Sequence, residues 1–344
     1  MQRIYIAGGY GVIGSAVARH IRTINQETEI ILAGRNPEKG SLLVQELGNA
    51  RTAFLDIRQG LAPGELDQAD LVVSTIQDPA DFLIQEALAK GIAHIGITKL
   101  ADELTPMLFA MQSHPPQAPI VPLGHSQAGI LTLVAYQEAK SFQSVQSIGL
   151  AGHYDERDPM GPMTLEDTEG FINRALIREN RIWKWVEAAK YPRSISLSNG
   201  SRVEGHPMSL LDVPSLAAVT GAPNIRFDFA IHDSIGTRAG GRASQDLYID
   251  LEGVLLDGRY AKRRITLTDP KGQAHFTALG ILLSIERILG WDGSSPAPGG
   301  FYLPETLVPL ETAMARIEQF GIQIRREERE GEPHEGINSC YTST

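Results

Sequence analysis

The stretch MQRIYIAGGYGVIGSAVARHI, residues 1–21, decides the fold. Ile4, Ile6 and their neighbours make a short apolar strand. Gly9-Tyr10-Gly11-Val12-Ile13-Gly14 then matches G-x-G-x-x-G, and Ala16, Val17 and Ile21 continue at helical spacing. Strand, glycine turn and helix in that order open a dinucleotide-binding fold. Gly9 is expected to permit the tight turn and Gly11 to let backbone approach a pyrophosphate. Gly14 is expected to let helix and strand pack closely. Tyr10, Val12 and Ile13 fall in the same cradle. The pyrophosphate would rest on N–H groups at the helix N-terminus, where the helix dipole favours negative charge.

Downstream, strand and helix alternate. Strands are predicted at 29–34 (EIILAG), 50–57, 70–76, 92–98 and 118–124, with helices at 37–48, 78–91, 100–114 and 128–142 between and after them. Near-continuous apolar strands separated by helices mean a parallel sheet covered on both faces. The fold class is therefore α/β, a doubly wound parallel sheet of the Rossmann type. After residue 140 the rhythm changes to an inserted α+β second domain. Strands are expected at 147–156, 224–233, 246–258 and 260–272, and a hairpin at 194–206 around Asn199-Gly200. A long helix is expected at 165–189. Helices at 275–290 and 304–321 close the chain. The domain division expected is 1–140 completed by 275–324, with 141–274 as the substrate and dimerisation domain. Residues 325–344, charged and weakly apolar, read as a mobile tail.

Composition bounds the function. The 344 residues carry a formal net charge of −10, which argues against a nucleic-acid or anionic-membrane surface. The apolar N-terminus is broken by Gly8, Gly9, Gly11 and Gly14, so it reads as strand and turn instead of a signal peptide. The single cysteine, Cys340, cannot form an intrachain bridge, and a cytoplasmic location is expected. The nine histidines are scattered without metal-ligand spacing, so no metal is expected.

The second strand sets cofactor choice. An Asp or Glu ending it would bond the 2′-hydroxyl of NAD, but here Gly34 is followed by Arg35-Asn36-Pro37. A guanidinium pairs with a 2′-phosphate that a carboxylate would repel, so NADP(H) is the cofactor expected. Asp56, after the third strand, is placed either to accept from the adenine amine or to cap the next turn. Ser74, Thr75 and Ile76 end the fourth strand and are expected to line the ribose and nicotinamide path.

The chain resembles the saccharopine dehydrogenase-like family in its saccharopine reductase branch. The resemblance is carried by IAGGYGVIGSAVARHI, AGRNPEK, DLVVSTIQDP, ALAKGIAHIGIT and, late in the chain, PGGFYLPETLVPLETAMARIEQFGI. From about 140 to 270 only the pattern matches. The resemblance implies an NADP-binding nucleotide domain, an α+β domain inserted after the sixth strand, and final helices returning to the first domain. It also implies a homodimer and reduction of an imine, formed between an amino acid and a carbonyl compound, to a secondary amine. Saccharopine reductases carry Asp-Pro-Gly after the sixth strand. Here Gln127-Ala128-Gly129 replaces it, an amide that cannot titrate, so a different small-molecule substrate is expected.

Imine reduction needs a proton on nitrogen, hence a donor near the nicotinamide. His125, just past the sixth strand, is the first candidate, with Lys99 and Tyr154 as competitors. Gln127, His153 and Arg238 are the candidate substrate contacts, the arginine for a carboxylate. The alternatives are a carbonyl reductase acting on another small metabolite, and a non-catalytic NADP(H)-binding sensor or regulator.

Overall fold

The computed structural model of the protein describes residues 1–97, 103–159 and 173–331. The first part of the chain runs β1 (Arg3–Ala7), α1 (Val12–Ile24), β2 (Glu29–Gly34), α2 (Ser41–Leu47), β3 (Ala50–Phe54), β4 (Leu71–Ser74), α3 (Phe82–Lys90), β5 (Ala93–Gly96), α4 (Leu104–Ser113), β6 (Pro119–Pro122) and α5 (Ile130–Ala139). It continues through β7 (Phe142–Tyr154), β8 (Arg174–Glu179), β9 (Ile182–Glu187), β10 (Arg193–Ser196), β11 (Arg202–Pro207), α6 (Asp212–Thr220), β12 (Asn224–Ile231), α7 (Ile235–Arg238), β13 (Gln245–Leu255) and β14 (Tyr260–Asp269). The last elements are α8 (Gln273–Leu289), β15 (Gly300–Phe301), α9 (Pro304–Leu307), α10 (Leu310–Gln319) and β16 (Gln323–Glu330).

The first sheet has the order β15-β6-β5-β4-β1-β2-β3, and every neighbouring pair is parallel. The chain moves outward from β1 to β3, then returns to the other side of β1 for β4 to β6. That reversal leaves a crevice beyond the carboxyl ends of β1 and β4, where open α/β sheets bind ligands. The second sheet is mixed, in the order β10-β11-β12-β7-β13-β14-β16, with the β8–β9 hairpin attached through β8 to β12. Only β7 and β12 pair in parallel. Alternation along its strands gives each a buried and a polar face. Ile148, Leu150, Phe227, Ile249, Leu251 and Ile265 from one face join Ile4 and Ile6 of β1 in a single core through α5 and α8. Among the described residues no helix is long and apolar enough to cross a membrane.

Three expectations are corrected. Within the segment expected as a helix at 165–189, residues 174–187 form the β8–β9 hairpin; residues 160–172 lie outside the described ones. Ala175, Ile177 and Val186 pack together on one face of it, a period of two. Asn180 and Arg181 turn it with φ of 51° and 69°, the left-handed pair that a two-residue hairpin loop needs. The expected tail from 325 is also partly strand. All of β16 pairs with β14, and Arg263–Glu328 (2.6 Å) and Arg326–Glu138 (2.7 Å) pin it there. Its dense charge is what protects a sheet edge from further pairing. Finally, the helix expected at 304–321 is broken into α9 and α10 at Val308-Pro309, because proline N-caps α10 and cannot continue α9.

Candidate dinucleotide-binding site

The glycine loop is tied down before it reaches any ligand. The N–H groups of Gly8 and Gly9 donate to the Ala33 carbonyl (2.8 and 3.2 Å), and Gly11 N–H donates to the Gly8 carbonyl (2.9 Å). The left-handed residue of the turn is Gly8 (φ 80°); Gly9, expected to make the turn, instead lies against β2. A Cβ on Gly9 would stand 2.7 Å from the Leu32 Cα. A Cβ on Gly14 would stand 2.8 Å from both the Gly8 carbonyl carbon and the Gly9 Cα, and closer still to the Gly8 oxygen. Both positions are therefore closed to any side chain. Helix α1 starts at Val12 with no side-chain cap and no acid in its first turn. Its first N–H groups have no intrahelical acceptor. An electropositive helix end kept clear of side chains fits a pyrophosphate, so the residues present match a dinucleotide.

Tyr10 lies across the end of β2. Its hydroxyl accepts the Asn36 N–H at 2.8 Å. Its ring fills the space over Gly34, where a Cβ would collide with it, and a Cβ on Gly40 would press on the ring at 3.1 Å. Arg35 is exposed and makes no ion pair among the described residues, so its charge is free to meet an anion. Asp56 caps the turn after β3. It accepts from the Arg58 N–H (3.3 Å) and guanidinium (3.0 Å) and from Gln59 (3.2 Å). The Arg58 hydrogen bond holds its carboxyl down at about 2.

Across the crevice, the tip of β4 is drawn against the glycine loop. Thr75 donates through Oγ1 (2.8 Å) and N–H (3.0 Å) to the Ala7 carbonyl, and Ser74 Oγ donates to the Ile76 carbonyl (3.2 Å). After β6 the backbone turns sharply. Gln127, Ala128 and Gly129 have φ of 49°, 52° and 96°, three consecutive left-handed residues of which two carry a Cβ. Such strain is held only where the surroundings over-determine it. Here Gly280 of α8 sits under the turn without a side chain, and the Gln127 Oε1 accepts the Thr277 hydroxyl (2.6 Å).

His125 is not placed as an imidazolium donor. Its ring is buried, with Nε2 at 2.9 Å from the Ser215 Oγ of α6, and burial pulls its pKa down to about 3. It is neutral at neutral pH. Lys99 lies outside the described residues. Tyr154 ends β7, and partial burial raises its phenol pKa, so it keeps its proton. His153 faces the interior, stacked on His232 at 4.4 Å, with Nδ1 at 3.0 Å from the Asp246 carbonyl. Arg238 is exposed and donates to the Asp233 carbonyl at 2.5 Å. Thus Gln127 and the end of β4 stand at carboxyl ends of the first sheet, whereas His153 is buried in the second. Among the described residues no group of three His, Cys, Asp or Glu is arranged to hold a metal.

One residue under the site had no sequence signal. Asp212, at the start of α6, is fully buried and accepts from the Ser126 N–H and the Thr132 hydroxyl, both at 2.7 Å. Burial raises its carboxyl from 3.8 to about 7. An acid raised in the folded state contributes stability that is full below its unfolded pKa and lost as pH climbs to its folded pKa. Asp212→Asn keeps both contacts, its oxygen on the Ser126 N–H and its amide N–H on the Thr132 oxygen. Between pH 5 and pH 7 the variant should therefore gain about 2–3 kcal/mol relative to wild type in urea unfolding. Parallel pH profiles for the two proteins would show that Asp212 is ionised throughout.

No protein-family model matches the chain, and no curated protein matches it by sequence. Solved structures do. Saccharopine dehydrogenase (L-Glu forming) from Saccharomyces cerevisiae, in its apo form, superposes with a TM-score of 0.71 at 12% identity, over 96% of this chain and 100% of that one. Homospermidine synthase from Legionella pneumophila, in complex with NAD, gives 0.65 at 11% identity, over 99% and 94%. Likeness at such identity is likeness of fold. The chain has the fold of saccharopine dehydrogenase, spanning both sheets.

Proposed function

We propose that the protein is an NADP(H)-dependent oxidoreductase of the saccharopine reductase type, reducing an imine formed from an amino acid and a carbonyl compound. The observation that carries the cofactor reading is the cradle of Gly8 to Gly14 at the uncapped start of α1. Arg35, unpaired just past β2, supports the phosphorylated form of the dinucleotide. The bound cofactor would supply hydride to carbon. The chain's own residues do the rest. The Gln127 side chain, with its oxygen taken by Thr277, has its amide N–H groups left to donate to a substrate carboxylate. The proton for nitrogen falls to Tyr154 or Lys99, since His125 is neutral.

Two measurements test this reading. Arg35→Ala should weaken NADPH by about 1.5–3 kcal/mol, the range of a charge-assisted contact, and leave NADH nearly unchanged. Equal losses for both nucleotides in fluorescence titrations would remove the NADP assignment. NADPH oxidation should then require an amino acid and an oxo acid or aldehyde together. Oxidation with the carbonyl compound alone would favour the carbonyl reductase reading, and none with any pair would favour a non-catalytic binder.

A further inference from the structure

A cavity lies away from the dinucleotide cleft, on the outer face of the second sheet. It measures about 660 Å³, and none of its lining residues precedes Ser147. Eight Lys and Arg side chains line it against four Asp and Glu, in a chain whose net charge is −10. Pockets of this volume are of the size that holds small ligands.

The charge there is balanced only in part: Lys262 pairs with Glu252 at 3.1 Å and Arg263 with Glu328 at 2.6 Å, but other cations are left in excess. Asp228, fully buried, is shared by two guanidinium groups: Arg193 Nε stands at 2.6 Å, and Arg226 Nε donates to it at 2.9 Å. One carboxylate under two cations leaves a net positive charge. Arg264 is matched by Asp250 at 3.1 Å. Arg178 and Arg202 make no ion pair among the described residues; the first leans on the Trp183 ring at 5.2 Å. The guanidinium of Arg193 is also fixed in place. It donates to the Leu150 carbonyl at 2.8 Å and lies over Gly149, where any side chain would displace it. Two cations held on one buried carboxylate do little for stability, since desolvating each is costly. Held rigidly around a cavity, they lower the ordering cost of capturing an anion.

We propose that this cavity is a second ligand site, for a small anion carrying two or more charges of carboxylate or phosphate type. It is separate from the dinucleotide cleft and independent of the function proposed above.

Calorimetric titration of the full chain with citrate and, separately, with pyrophosphate tests it. One of the two should bind saturably at one per chain, more weakly as salt rises, and with NADPH already bound. Tighter citrate binding would assign a polycarboxylate, and tighter pyrophosphate binding a phosphate ester. Arg202→Glu, an exposed substitution at the wall, should weaken the preferred anion about tenfold or more and leave NADPH affinity unchanged. Absence of saturable binding by both probes, or competition with NADPH, would overturn the proposal. So would a variant that binds the anion as wild type does but changes its mass in light scattering, which would make this face an interface between copies of the chain.

Discussion

Gly14→Ala should lose NADPH and NADH binding by about 100-fold or more, the scale on which a displacement near 1 Å removes a positioned interaction. The added methyl would meet backbone on the far side, the Gly8 carbonyl and the Gly9 Cα, and neither can rotate away. Helix α1 would have to lift off the loop. The loop is bonded to Ala33 of β2, so it cannot follow. Lifting α1 separates its N-terminal N–H groups from the place where a pyrophosphate would sit, and those groups act only together. Titration of either nucleotide against the variant is the check, with thermal unfolding beside it. A folded variant that binds both nucleotides as wild type does would mean the cradle is not where they sit.

How much was legible follows from where periodicity carried the information. In the first sheet β1, β2 and β4 to β6 are largely buried, so each is an apolar run closed by turn residues. Strand β3, at the sheet's edge, exposes Arg51 and Phe54 and is marked by its place in the alternation. All of β1 to β6 fall within or close to the expected bounds. The Asn199-Gly200 hairpin was equally plain, with Gly200 at φ 83°. The β8–β9 hairpin was not. Its turn uses Asn180-Arg181 instead of a glycine pair, and Trp183 and Trp185, two apart on a strand, face solvent with Arg174 stacked at 4.0 Å on the second. An apolar stripe on the wrong side imitates a helix. Strand β16, QIRREERE, has the composition of a disordered segment, and only pairing with β14 gives it structure. At the site, the glycine loop could be read because backbone geometry demands glycine. The roles of Asp212 and Gly280 depend on contacts with residues 86 and about 150 positions away, which no local pattern records.

Gly280 sits mid-way along α8, where glycine is a poor helix residue. Any other residue except proline should gain up to about 1 kcal/mol of helix propensity there. Valine is nevertheless expected to destabilise the protein by about 3 kcal/mol or more, because overpacking against backbone exceeds that gain. The Cβ alone would lie 2.7 Å from the Ala128 carbonyl oxygen and 2.9 Å from the Ala128 Cβ, and nearer still to the Gln127 oxygen. Gln127 and Ala128 already occupy left-handed backbone, so the turn has no relaxed conformation to retreat into. Pushing it outward would also part Gln127 from Thr277, and turnover should fall further than stability does. Ile281→Val, one residue along the same buried helix, is the control, expected to cost about 0.5–1.5 kcal/mol through a lost methylene. If Gly280→Val unfolds no more readily than that control and keeps its turnover, α8 does not press on the turn, and the strain at Gln127 and Ala128 must be held by other contacts.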